Sequence, residues 1–150
     1  MYTIEEFDKE KTKVLKYVIY KKRTEKEVKT KFKLQIEEDL LSDIIKDLKE
    51  NGYIDDEKYV ERAINEFMAL KNLSIKEIKY KLLSKGVSTR ILDEYIEKNT
   101  EELEEYEQKS ANNIALKKSV NMEETEIKQY LMKKGYREEN IRETLEKLEE

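Results

Sequence analysis

Apolar positions recur along this chain at helical spacing, and the arrangement returns about every 50 residues. Three segments carry it: Val28-Lys29-Thr30-Lys31-Phe32, Ile78-Lys79-Tyr80-Lys81-Leu82 and Ile127-Lys128-Gln129-Tyr130-Leu131. Their starts lie 50 and 49 residues apart. Each is followed by an apolar residue near a turn (Ile36, Val87, Tyr136) and then by a second helical run. A period that long marks one supersecondary unit repeated three times.

Each repeat reads as three helices, A, B and C. In the first, helix A runs from Asp8 to Lys22 with Val14, Leu15, Val18 and Ile19 as its apolar stripe. Thr24-Glu25-Lys26-Glu27 has the form of a capping box opening helix B. Helix C carries Leu40, Leu41, Ile44, Ile45 and Leu48 and ends at Asn51-Gly52. The second repeat opens on Asp55-Asp56-Glu57, acids suited to a helix N-terminus. Its helix A holds Tyr59, Val60, Ala63, Ile64, Phe67 and Met68. Ser74 to Glu77 is a second capping box, and helix B ends at Gly86. Helix C places Ile91, Leu92, Tyr95 and Ile96 at the offsets from Val87 that the first repeat shows from Ile36.

The third repeat has a more polar helix A, with Leu103, Tyr106, Ala111, Ile114 and Leu116. Asn121-Met122-Glu123-Glu124 suggests a cap set two residues early, and Gly135 ends helix B. Asn140 and Thr144 replace apolar residues of the earlier C helices, which predicts the thinnest core here. Expected boundaries are 1–54, 55–99 and 100–150, with hinges at Gly52–Asp55 and Lys98–Thr100. The fold expected is all-α: three tandem three-helix repeats in an elongated, curved array.

Composition agrees with helices. The 150 residues include no proline and three glycines, too few turn residues for a sheet protein. Charged residues make up 44%, but the periodic apolar positions argue for folding over disorder. No apolar run has membrane-spanning length and nothing near the N-terminus reads as a signal peptide, so a cytoplasmic location without membrane contact is expected. No long apolar stripe is left over, which predicts a monomer.

The net charge of −4 conceals segregation. Residues 9–33 carry eleven Lys/Arg against three acids, and residues 34–66 carry four against eleven. The alternation recurs in 71–90 against 93–107, and in 109–137 against 138–150. Each repeat thus couples a basic A/B segment to an acidic C helix.

Catalytic chemistry is hard to assemble from this inventory. With no histidine and no cysteine, the usual general bases, thiol nucleophiles and zinc ligands are missing. The acid pairs Glu37-Glu38, Asp55-Asp56 and Glu123-Glu124 stand at helix starts, where they favour the macrodipole. No glycine-rich phosphate loop is present. The expectation is a protein that is not an enzyme and needs no cofactor. The candidate binding residues are basic: Lys16, Lys22, Arg23, Lys29 and Lys31 in the first repeat, and Lys76, Lys79, Lys81, Lys85 and Arg90 in the second. They serve as solvated faces beside the acidic C helices, or as a track for phosphates or an acidic protein groove. A direct DNA-binding helical module and an adaptor for another protein both stay open, though the acidic C helices make poor recognition helices.

Gly52-Tyr53-Ile54-Asp55-Asp56-Glu57-Lys58-Tyr59-Val60 resembles the hallmark segment of the RecX family of recombinase regulators, in which Gly52, Tyr53, Asp55, Asp56 and Tyr59 are the matching positions. Ile78 to Val87 is similar to that family's helix B, and Arg23 to Val28 to its first capping segment. The resemblance covers about residues 10–150. It implies three tandem three-helix repeats and a cytoplasmic bacterial protein that binds the RecA filament. It also implies inhibition or modulation of ATP hydrolysis and strand exchange, and contact with the single- or double-stranded DNA within. The chain departs from the family pattern in two places. Leu70 to Ile75 lacks the Gly-Pro pair, and Gln35 stands where the other two copies have glycine.

Overall fold

The computed structural model describes every residue from Met1 to Glu150, in nine α-helices with no strand. They are α1 (Ile4–Tyr20), α2 (Glu25–Phe32), α3 (Glu38–Glu50), α4 (Asp56–Leu70), α5 (Ile75–Ser84), α6 (Thr89–Lys98), α7 (Thr100–Lys118), α8 (Glu124–Lys134) and α9 (Glu138–Glu149). Within each A–B–C triplet, helix A packs on helix C and helix B touches both. Between triplets helix packing is slight, and the strongest pair is α6 with α7, which meet at Asn99. The units therefore follow one another in tandem, as the 50-residue period predicts.

Local chemistry sets the helix starts. Thr24 and Ser74 each complete both halves of a capping box, with Glu27 and Glu77 as the returning carboxylates. The third cap is Glu123, not Asn121: its backbone N–H donates to Glu126 Oε1 at 3.1 Å. The cap positions 24, 74 and 123 thus keep the period of the B helices, and the two-residue offset expected from Asn121 disappears. Helix α1 starts earlier than its apolar stripe suggests, because the Thr3 hydroxyl caps it by accepting from Glu6 N at 3.1 Å. It ends at Tyr20 rather than Lys22.

The apolar stripes build three cores of eleven, eight and seven buried residues. Helix α3 buries all five predicted positions, each full burial contributing about 1.5–3 kcal/mol. Ile19 and Leu116 depart from expectation, being 63% and 67% exposed. Ile19 lies about 100° round the helix from Val18 and so misses the core face. The third core is the thinnest, as Asn140 and Thr144 foretell. Both are buried and bonded to α7 instead of packed: Asn140 Nδ2 to Glu107 Oε2 at 2.5 Å, Thr144 Oγ1 to Asn112 Oδ1 at 2.6 Å.

Neither expected hinge is a loose linker. Gly52 takes a left-handed conformation at φ 78°, and Tyr53 N returns to Leu48 O at 2.8 Å, closing α3 while Ile54 enters the first core. The second junction is the single residue Asn99, and Leu103 and Tyr106 tie α7 into the core of the second repeat. At the A–B corner of the second repeat, where no glycine stands, Lys71 adopts a left-handed conformation at φ 50°. That backbone costs a non-glycine residue about 1 kcal/mol.

Candidate interaction face and repeat joints

The three B helices meet end to end through one joint used twice. At the first, the Thr24 hydroxyl accepts from Glu27 N and donates to Lys85 O at 2.6 Å, linking the start of α2 to the end of α5. At the second, the Ser74 hydroxyl accepts from Glu77 N and donates to Lys134 O at 2.6 Å, linking the start of α5 to the end of α8. Only a group that accepts and donates at once can fill this place, so a carboxylate cap would leave the carbonyl unserved. Opposite partial charges of two helix ends meet at each joint.

Glycine makes the approach close enough. Gly86 and Gly135 have φ values of 94° and 92°. A Cβ on Gly86 would stand 2.5 Å from Lys26 Cβ, and one on Gly135 would stand 2.8 Å from Lys76 Cδ. Gln35, at the corresponding place in the first repeat, lies exposed. The family departure at Gln35 therefore falls where no neighbouring helix needs room.

A carboxylate from the following repeat finishes each joint. Asp56 Oδ1 accepts from Glu25 N at 3.0 Å, and Glu107 Oε1 accepts from Ile75 N at 3.0 Å. Burial raises the Asp56 pKa above the usual carboxylate value. Burial also acts upward on Glu25, but hydrogen bonds from Lys49 and Lys29 outweigh it and hold that carboxyl below its ordinary value. Glu107 is fully buried and also accepts from Asn140 Nδ2 at 2.5 Å. The sequence reading missed it among the acids of α7. The available signal was its position 51 residues after Asp56, close to the repeat period.

Around the second joint, Ser110 Oγ donates to Leu73 O at 3.0 Å and shares a 2.6 Å bond with the Tyr136 hydroxyl. Tyr106 donates to the same carbonyl at 2.7 Å. Ser110 has a single proton, given to Leu73, so Tyr136 is the donor between the two hydroxyls.

The hallmark segment forms the first joint and its rim. Asp55 caps α4, its Oδ1 accepting from Lys58 N at 3.1 Å, while Asp56 reaches across to α2. Tyr59 packs against the second core, and Tyr53 is 43% exposed. The acid pair is thus divided between capping its own helix and capping another.

The ten basic candidates do not form one surface. Lys29 pairs with Glu25 at 2.9 Å, Lys79 with Asp93 at 2.9 Å and Arg90 with Glu94 at 3.2 Å. Lys29 and Arg90 line a cleft that also holds Glu25, Asp55, Asp56 and Glu57. Lys31 and Lys85, from different repeats, come together with Lys26, Tyr17 and the capping carboxylate Glu27 in a depression of about 370 Å³ at the first joint, three cations against one acid. Lys22 and Arg23 share an open cleft of about 630 Å³ with Gly52, Tyr53, Asp55 and Tyr59. The Arg23 guanidinium sits 4.2 Å above the Tyr17 ring, a cation–π contact that leaves it half-buried. Lys16, Lys76 and Lys81 are exposed and outside these clefts. Apart from the three ion-paired residues, none of the candidates has an acid partner within 4.0 Å.

Fold and surface together define a tandem helical-repeat protein whose joints fix the spacing of its exposed cations. No helix is long and apolar enough to cross a membrane. No protein-family model matches the chain. It is 30% identical over 139 residues to the regulatory protein RecX of Staphylococcus carnosus, covering 90% of this chain and 52% of that protein. It is 28% identical over 148 residues to the regulatory protein RecX of Clostridium acetobutylicum, covering 92% and 68%. The chain spans about half the length of several curated relatives it matches. The crystal structure of RecX from Lactobacillus salivarius superposes with a TM-score of 0.81 at 28% identity, over 98% of this chain and 99% of that one. The chain belongs to the RecX family.

Proposed function

We propose that this protein is a non-enzymatic cytoplasmic regulator that binds the RecA–DNA filament and inhibits or modulates its ATP hydrolysis and strand exchange. The observation that carries the reading is a RecX-type repeat array in which the same joint recurs, so that successive units present themselves at a fixed interval. Segments 1–54, 55–99 and 100–150 each act as one contact unit of a monomer. Weak contacts to neighbouring filament subunits then add through effective concentration. Lys31 and Lys85, with Lys26 beside them, supply the basic site suited to phosphate or acidic protein surface.

The test is to add the protein to RecA assembled on single-stranded DNA and follow ATP hydrolysis and strand exchange. Inhibition that saturates with protein supports the reading. Unchanged rates at saturating protein overturn it. A gel-shift titration on bare DNA separates this function from direct DNA binding, which requires no RecA.

A further inference from the structure

We propose that the three A–B corners are contact points of the array in addition to the basic site of Lys31 and Lys85, each offering an exposed apolar side chain beside an unpaired lysine to an acidic protein subunit that repeats along a polymer. This deepens the filament-binding reading above and rests on it. Tyr20 ends α1 and is 86% exposed, Leu70 ends α4 and is 63% exposed, and Val120 follows α7 and is 87% exposed. They stand 50 residues apart, the period of the fold. Exposed Lys21 and Lys71 adjoin the first two, and exposed Lys117 precedes the third by three residues.

Scattered apolar residues on a surface need no explanation. These recur at one place in every repeat, and each lies in a stretch of sequence without acids. No acid occurs from Lys11 to Thr24, from Phe67 to Lys76 or from Gln108 to Met122, in a chain with 35 acids among 150 residues. None of the three lysines has an acid partner within 4.0 Å. The complement of such a corner is a shallow apolar spot edged by carboxylates. Two like joints relate the three corners, so a partner must repeat that spot to engage all of them.

The second corner is held in place at a conformational cost. Lys71 carries the positive φ of 50°, its carbonyl accepts from Asn113 Nδ2 at 3.1 Å, and Tyr106 and Ser110 fasten the Leu73 carbonyl. Strained backbone held by surrounding bonds is a feature of binding sites. Here it fixes Leu70 and Lys71 at the outer edge of the turn.

The test measures affinity for RecA filaments on single-stranded DNA by co-sedimentation. The proteins compared are the wild type, the single variants Tyr20→Ser, Leu70→Ser and Val120→Ser, the triple variant, and Lys71→Gly. Circular dichroism melting checks that each variant folds. Each single change should weaken binding about tenfold, the value of one buried apolar side chain. The triple should lose more than a hundredfold with an unchanged melt. Lys71→Gly should melt higher yet bind less well. Wild-type affinity in the folded triple variant overturns the corner proposal while leaving the filament reading standing. Failure of the wild type to bind filaments overturns both. Binding to phosphatidylserine vesicles but not filaments, lost in the triple variant, assigns the corners to a membrane and overturns the polymer partner.

Discussion

Lys26 lays its aliphatic stem against the backbone of Gly86, in the space that a side chain at position 86 would need. A Cβ at position 86 would lie 2.5 Å from Lys26 Cβ, whereas one at Gly52 would meet nothing within 4 Å. Both glycines have positive φ. Gly52→Ala should therefore cost only the backbone term, about 1 kcal/mol, and Gly86→Ala should cost at least twice that because the joint must also open. Urea denaturation of the two variants gives the comparison. Equal losses would show that the joint yields without resistance.

Thr24 and Ser74 give a second measure of the joint. Thr24→Asp keeps an N-cap acceptor but removes the proton given to Lys85 O, and it sets a carboxylate against that carbonyl. At an isolated helix start this substitution is nearly neutral. Here it should destabilise by about 1 kcal/mol, the cost of losing the bond to a part-buried carbonyl that then faces a carboxylate. A melting temperature equal to wild type would rule out the dual role of the hydroxyl.

Tyr136 supplies a pH dependence. Burial holds its phenol above the ordinary value of 10.0. A group raised in the folded state contributes stability that is complete below its unfolded pKa and is lost as pH rises. Stability should thus fall from about pH 10 upward. The difference in absorbance at 295 nm between wild type and Tyr136→Phe should isolate one phenolate among the ten tyrosines, appearing together with loss of helix. Tyr136→Phe should move alkaline unfolding to higher pH while costing about 1 kcal/mol at neutral pH for the bond to Ser110.

Free and paired lysines should separate in salt titrations of filament binding. Lys31→Gln and Lys85→Gln should each lower the slope of log affinity against log salt by about 1. Lys29 and Lys79 already face Glu25 and Asp93. Their replacement by glutamine should change the slope by less than half as much. Indistinguishable slopes across all four variants would remove the distinction drawn from the ion pairs.

Much of the fold was legible because its signals are local. Val28/Phe32 and their counterparts show helical period within five residues, and Thr24 and Ser74 announce their helices through chemistry that operates over one turn. What connects the repeats was not. Lys85 O and Gly86 contribute to a site only when Thr24 and Lys26, some 60 residues away, arrive beside them. Glu107 reads as one more acid of a polar helix until Ile75 and Asn140 converge on it. The basic candidates were legible as residues but not as a surface, because pairing by Asp93 or Glu94 depends on how helices pack.

Every joint runs the same way: the start of one B helix receives the end of the B helix that follows it in the chain. The array consequently has a front and a back, like an arrow, and turning it end for end does not restore it. A nucleoprotein filament also has distinct ends. On the filament partner proposed above, an array with a direction would have one matching heading. Binding would then report which way the filament points as well as that it is there.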